Sequence, residues 1–200
     1  MTTTHPSVLI TDLLKTTTLA AHQQLEKWMV YAIKSMHTQE QYLSLLSLFY
    51  GFYQPVQQQV LPLVREIVTD WEERRQSELL WQDMQVLNPL LKEVPLCRHT
   101  PVYSSVGEAL GALYVFEGST LGGSIIAKMV RDRLPGLPTG ALQFFTGYAD
   151  ATMNKWAQFR QYLLSFADSE AKQQAVILGA NQTFESFYEW LQGHSITHTK

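Results

Sequence analysis

The chain has 200 residues, of which 46% are hydrophobic and 12% aromatic, and its formal net charge is −3. This length and composition suit one globular domain over residues 1–200, with a continuous core and room for a ligand pocket. Its Lys and Arg residues are scattered, so neither a nucleic-acid-binding surface nor a polybasic membrane patch is expected.

Signals for export or membrane insertion are absent from the sequence pattern. Residues 1–15 lack the positive start and long apolar run of a secretory signal, and no uninterrupted apolar run reaches about 18 residues. Cys97 is the only cysteine, which excludes an intramolecular disulfide and fits a reducing compartment. We therefore expect a cytoplasmic protein that has no membrane partner.

Apolar residues recur with helical spacing along most of the chain, and no alternating strand pattern of useful length is present. These patterns predict an all-α fold. The first predicted helix begins near Thr11 or Asp12 and runs to about Ser35. One face of this helix carries Leu14, Thr18, His22, Leu25, Met29 and Ile33.

The second predicted helix begins at Thr38, because Thr38 and Gln41 have capping-box spacing. Pro55 should kink or end this helix. Residues 56–75 continue the helical pattern, with a further break expected near Pro62.

The second half of the chain contains the longest predicted helix, which starts after Ser105 and runs to about Arg133. Ser105 and Glu108 again have capping-box spacing. The other predicted segments are a helix at 76–87, a loop at 88–101, a connector at 134–141, helices at about 142–166 and 169–192, and a frayed tail at 193–200.

The long helix contains the sequence 114-YVFEGSTLGG-123, although each glycine costs a helix interior roughly 1 kcal/mol relative to alanine. Gly107, Gly111, Gly118 and Gly122 fall within an arc of about 60° and form a bare stripe about 22 Å long. This glycine stripe could admit a neighbouring helix or a flat ligand. Gly123 adds flexibility, and the polar Glu117 and Ser119 beside the stripe favour the ligand.

His22 lies on the apolar face of the first helix, where it is either a core residue or a ligand to iron. Lys15 precedes it by two helical turns on the same face, about 10 Å along the axis. We expect a buried imidazole with a nearby cation. Such a pair could hold iron at one point and an anionic edge of the same ligand at another.

The segments 15-KTTTLAAHQQLE-26 and 114-YVFEGSTLGG-123 resemble the bacterial heme oxygenase family, in the branch with the bacteriophytochrome-associated and neisserial-type enzymes. The resemblance extends over nearly the whole chain and includes the aromatic-rich last helix, 180-ANQTFESFYEWL-191. It implies a multi-helical bundle that holds heme between the first helix and a glycine-rich distal helix.

The resemblance also implies the residues of the site. His22 would be the axial iron ligand of heme b, and the helix around Gly118, Ser119, Gly122 and Gly123 would be the distal helix. Lys15 and Tyr114 would lie near the heme propionates. The pocket would be lined from the last helix by Phe184, Phe187 and Tyr188, for which ordinary core packing is an equal alternative.

The implied reaction uses heme as both cofactor and substrate. With O2 and external electrons from a ferredoxin or flavoprotein reductase, the macrocycle would be opened to biliverdin, CO and ferrous iron. A bare distal helix would let the iron-bound oxygen lie close to the ring, with protons donated by backbone groups and water. Because Lys15 stands where the α-cleaving members of the family have their lysine, the resemblance implies the α-isomer.

This chain departs from the mammalian-type members, which have an aspartate where Ser119 stands. Proton delivery through that carboxylate therefore cannot be assigned here. Glu117 could point at the pocket or form a structural hydrogen bond, and the sequence leaves both possibilities open.

Three other functions are known alternatives to heme degradation for an all-α chain. No glutamate has a histidine three residues later, as a carboxylate-bridged di-metal oxidase requires. A thiaminase-like relative would need a nucleophilic cysteine in the pocket, whereas Cys97 lies in a predicted loop and is expected to be inert. A non-enzymatic heme carrier or sensor remains the alternative. If His22 is not the iron ligand, the candidates are His5, His37, His99, His194 and His198.

Overall fold

The computed structural model describes residues 9–74 and 76–194. These residues form helices and contain no β-strand, which confirms the predicted all-α fold. The helices are α1 (Ile10–Thr17), α2 (Leu19–Ser35), α3 (Gln39–Val64), α4 (Gln76–Leu87), α5 (Val106–Arg133), α6 (Gln143–Thr146), α7 (Thr152–Phe166) and α8 (Glu170–Gln192). Two 3₁₀ turns lie at Trp71–Arg74 and Ala149–Ala151. Most of the predicted tail, 195–200, lies outside the described residues.

The first predicted helix is divided in two at Thr18, so the expectation of one continuous helix is wrong. The Thr18 hydroxyl donates to the Leu14 carbonyl at 2.7 Å, and Thr16 and Thr17 bond back to their own preceding turn in the same way. Such back-bonding by threonine bends helices. The bend separates the segment that carries Lys15 from the segment that carries His22.

Helix α3 runs through both prolines, so it does not end at Pro55 and does not break near Pro62 as predicted. Pro55 has no N–H for the carbonyl of Gly51, four residues earlier. The backbone N–H of Cys97 donates to that carbonyl instead, at 2.8 Å, so the carbonyl keeps a partner while the helix continues. The predicted capping box at Thr38 and Gln41 is present in full.

Helices α5 and α8 approach each other backbone to backbone. A Cβ atom at Gly111 would lie 2.1 Å from the Val176 carbonyl oxygen, and one at Gly179 would lie 2.1 Å from the Glu108 carbonyl oxygen. A Cβ at Gly107 would lie 2.6 Å from the Cβ of Ala175. Only glycine at these positions permits such a close crossing.

Helix α5 is the one described helix that is long and apolar enough to span a membrane by length and composition. Half of its most apolar window is buried against the rest of the protein. Such burial is typical of a core helix.

The helix predicted over 142–166 is interrupted between α6 and α7. Gly147 and Ala149 have positive φ angles of 54° and 48°, which a helix cannot accommodate. The fully buried Asp83 caps the start of α6, accepting hydrogen bonds from the backbone N–H groups of Gln143 at 2.8 Å and Phe144 at 2.9 Å. This cap fixes α6 on α4.

Asp83 should make the stability of the fold depend on pH. Burial raises the pKa of Asp83 to about 6. Because this value lies above that of an unfolded aspartate, the folded state binds the proton more tightly. The free energy of unfolding should therefore fall as the pH rises from about 4 to about 6, by up to roughly 3 kcal/mol.

Urea unfolding of Asp83→Asn across this range should show a flatter pH dependence than the wild type. The matched control is Asp132→Asn, which removes an exposed carboxylate and should leave the wild-type slope unchanged. Identical slopes for Asp83→Asn and the wild type would contradict this account.

Candidate heme site

The candidate site lies where α2, α5 and α8 meet. The Tyr114 hydroxyl on α5 interacts with the side chain of Thr18, the residue immediately before α2. His22 follows Thr18 by one helical turn, and Gly118 follows Tyr114 by one turn. His22 and Gly118, two of the predicted site residues, therefore lie on neighbouring helices, α2 and α5.

His22 is half exposed, with 49% of its side chain accessible, so the expectation of a buried imidazole is wrong. Its ring meets the edge of Phe184 on α8, with the centroids 6.0 Å apart and the planes at 86°. Nδ1 lies 3.6 Å from the Glu26 carboxylate, one turn further along α2. With Nδ1 facing this carboxylate, Nε2 is the nitrogen suited to binding a metal.

The glycine stripe serves two different purposes along α5. Its first half, Gly107 and Gly111, is filled by the crossing with α8. Its second half is open: a Cβ at Gly122 would meet nothing within 4 Å, and one at Gly118 would meet only Trp156, at 4.0 Å. A neighbouring helix therefore occupies the first half of the stripe, and the second half has space for a ligand.

Gly123 faces away from this open segment. A Cβ there would lie 2.1 Å from the Phe145 carbonyl oxygen. Because only a bare backbone fits against this carbonyl, packing against α6 accounts for this glycine. Gly122 and Gly123 are adjacent in sequence but have different surroundings.

Lys15 precedes the bend at Thr18 by three residues, and Tyr114 interacts with Thr18 itself. Lys15 is exposed on α1 and forms no ion pair with any residue in the described part of the chain. Tyr114 is partly buried on α5, and burial raises the pKa of its hydroxyl. An unpaired cation and a neutral phenol are suitable donors for a carboxylate group of a ligand.

The three aromatic residues predicted on α8 occupy different environments. Phe184 contacts His22 directly. Phe187 packs in the aromatic core, stacked on Phe52 at 4.7 Å. Tyr188 is partly buried, and its hydroxyl accepts a hydrogen bond from Gln192. Of the three, Phe184 is the one placed beside the imidazole.

Ser119 has a buried hydroxyl neighbour that the sequence did not reveal. Its Oγ donates to the Phe116 carbonyl at 2.6 Å and lies 3.4 Å from the Tyr53 hydroxyl. Tyr53 stacks on Phe116 with the centroids 4.0 Å apart, and burial raises its pKa. Ser119 itself is exposed. A protonated phenol thus lies directly behind the serine.

Glu117 is held in a buried polar cluster, which resolves the question left open by the sequence. Its carboxylate accepts hydrogen bonds from Arg74, from Gln76 at 3.2 Å and from Tyr148 at 2.8 Å. Arg74 is fully buried and also forms a two-point ion pair with Asp70, at 2.9 Å for both bonds. With three donors, Glu117 has a structural role behind the open segment of α5.

Trp156 on α7 is another neighbour of the open segment that sequence patterns did not single out. Its indole lies 5.8 Å from the Tyr114 ring, measured between centroids. Tyr53, Arg74 and Trp156 come from three separate elements, so only the fold brings them to α5.

A cavity of about 510 Å³ lies away from His22 and the open segment of α5. It is lined by residues of α3, α4 and the first 3₁₀ turn, among them Tyr50, Trp71 and Trp81. In residues 9–74 and 76–194, no three His, Cys, Asp or Glu side chains are grouped to hold a metal ion.

The heme oxygenase family model matches residues 9–193. A heme oxygenase from Xanthomonas campestris pv. campestris is 38% identical over 130 residues, which span 64% of this chain and 74% of that protein. The fold is similar to that of the heme oxygenase from Neisseria meningitidis, solved with bound NO and CO, with a TM-score of 0.78 and 20% identity over 94% of this chain and 92% of that chain. The heme oxygenase from Leptospira interrogans gives a TM-score of 0.75 and 18% identity over 94% and 100% of the two chains.

The match to the family model spans nearly the whole described chain and includes both His22 and the open glycine segment. The chain belongs to the heme oxygenase family and is an oxidoreductase that degrades heme.

Proposed function

We propose that this enzyme opens the heme macrocycle to biliverdin, with release of CO and ferrous iron, in the cleft between His22 and the open segment of α5. Supporting this proposal is the pairing of an accessible imidazole on α2 with a helix face that has no side chain at Gly118 or Gly122. Heme supplies the iron at which O2 is activated. The protein would bind heme, orient it and deliver protons.

His22 would bind the heme iron through Nε2. The Glu26 carboxylate, 3.6 Å from Nδ1, would attract an Nδ1–H group and thereby favour the tautomer whose Nε2 has a free lone pair. Phe184 would hold the ring from the side by its edge contact. This arrangement leaves the half-exposed imidazole free to meet a planar ligand.

Lys15 and Tyr114 would bind the heme propionates. The Lys15 ammonium has no competing ion pair in the described part of the chain, and the Tyr114 hydroxyl interacts with the Thr18 side chain. A fixed propionate edge fixes the rotation of the ring about the iron. We expect this rotation to give the α-isomer of biliverdin.

Gly118 and Gly122 would leave space for oxygen between the ring and the helix. Gly123 would contribute by keeping α5 against α6, rather than by facing the heme. The Ser119 hydroxyl, backed by Tyr53, would orient water that donates protons in place of a carboxylate. Because the Ser119 Oγ donates its hydrogen to the Phe116 carbonyl, it would accept hydrogen bonds from the Tyr53 hydroxyl and from a water in the cleft.

Electrons would come from a ferredoxin or flavoprotein reductase that binds near the exposed heme edge, where cations such as Lys15 would favour an acidic partner. We place the reaction in the cytoplasm and assign it to one domain over 1–200.

Addition of hemin, followed by an electron donor under air, tests the proposed function. Loss of the Soret band with appearance of biliverdin is expected, and chromatography should identify the α-isomer. A stable oxygen complex that only autoxidises would instead indicate a heme carrier, and a β or δ product would contradict the assigned ring orientation.

The His22→Ala variant should lose the absorption spectrum of imidazole-ligated heme. Added free imidazole should restore it, because the truncated side chain leaves space at the iron. His37→Ala, which removes an exposed histidine beside Arg133, is the control. An unchanged spectrum in His22→Ala would move the ligand assignment to another histidine.

The Gly122→Leu variant should fold, because nothing lies within 4 Å of the new Cβ, and should still bind heme through His22. Its rate of ring opening should fall by at least about tenfold, because the side chain takes the space of the oxygen. Ser124→Leu places the same side chain on an exposed position of the same helix and should keep the wild-type rate. Equal turnover in the two variants would exclude this use of the glycine.

Ser119→Ala and Tyr53→Phe should each slow biliverdin formation by roughly two- to tenfold, since each removes one hydrogen bond from the proposed proton path. Heme affinity should not change, because neither group is placed to bind heme. Ser124→Ala is the matched control on α5. Wild-type rates for both variants would show that protons reach the site by another route.

A further inference from the structure

The Trp156 side chain borders the open segment of α5 at Gly118. Its Cη2 atom lies 4.0 Å from the position that a Cβ at Gly118 would occupy, and its ring lies 5.8 Å from Tyr114. The indole also stacks on Phe159, with centroids 6.1 Å apart and planes at 29°, and Phe159 is fully buried. The indole is thus held between the core and the cleft.

The backbone that carries Trp156 is anchored by the buried polar cluster. Arg74 donates to the carbonyl of Lys155, the preceding residue, at 3.1 Å. The Lys155 ammonium binds Asp70 at 2.8 Å, and its side chain is only 16% exposed. Because both the backbone and the side chain of residue 155 are fixed, the indole has little freedom to withdraw from Gly118.

We propose that Trp156 is a positioning residue that limits the in-plane rotation and sliding of the macrocycle, and so selects the meso carbon that lies at Gly118 and Gly122. This inference rests on the proposed function of the cleft. A flat ring in a cleft whose helix wall is bare can turn about the iron at little steric cost. The indole edge beside the bare backbone would restrict this rotation by excluded volume. Propionate binding at Lys15 and Tyr114 would restrict the same rotation from the polar edge of the macrocycle.

Trp156→Ala and Trp156→Phe test this proposal, with Trp81→Ala as the control. Trp81 packs on Tyr50 at 5.2 Å, and both line the cavity between α3 and α4, away from the cleft. Gallium protoporphyrin, which does not undergo the reaction, is titrated into each protein and its induced circular dichroism is recorded. Biliverdin isomers from hemin are then separated by chromatography.

We expect Trp156→Ala to bind the gallium porphyrin with an affinity reduced by less than about tenfold, with an altered Soret dichroism. It should give a mixture of biliverdin isomers where the wild type gives one. Trp156→Phe should give a dichroism and an isomer mixture between those of the wild type and Trp156→Ala. If the alanine variant does not fold, Trp156→Phe is compared with the wild type in its place. Trp81→Ala should match the wild type in both measurements.

Wild-type dichroism and a single wild-type isomer in the folded Trp156 variants would overturn the proposal. Failure of the wild type to form biliverdin would contradict the proposed function instead. In that case the dichroism of the gallium complex would still decide whether Trp156 orients a bound porphyrin.

Discussion

The crossing of α5 and α8 is the contact on which the rest of this structure depends. At Gly111 and Gly179 the two helices touch through their backbones, with no room for a Cβ on either side. This contact fixes both the helix that carries the open glycine segment and the helix that carries Phe184. The site therefore depends on two parts of α5. One part packs against α8 at Gly111, and the other, at Gly118 and Gly122, has no side chains.

A second constraint acts on the opposite side of α5. Glu117 is fixed by Arg74 and Tyr148, and Gly123 is pressed against the Phe145 carbonyl. The open residues, Gly118 and Gly122, thus lie between two fixed points of the same helix. Glycine weakens a helix interior, so this support from behind explains how α5 stays helical through its least stable segment.

Local patterns predicted the elements better than they predicted the breaks between them. The capping-box spacing at Thr38 located the start of α3, and the serine at position 105 located the start of α5. The helix does not end at Pro55, and the break expected near Pro62 was wrong. At Pro55 a tertiary contact supports the helix, because the Gly51 carbonyl that the proline leaves free accepts from Cys97, 46 residues away. The bend at Thr18 depends on side-chain back-bonding, which spacing alone does not show. In the site, helical periodicity identified the glycine stripe but not its division into packed and open halves, because that division depends on where α8 and α6 lie.

The charged cluster around Arg74 also bears on how the protein folds. A buried guanidinium is costly unless its anionic partners arrive with it, and here they come from the segment before α4 and from α5, while α7 supplies a carbonyl and an ammonium. None of these groups gains its full stabilisation until all of them meet. We therefore expect the cluster to form cooperatively. In partly folded chains in which α7 has not docked, the residues that support α5 at Glu117 would be disordered, and they would become ordered in one step when α7 docks.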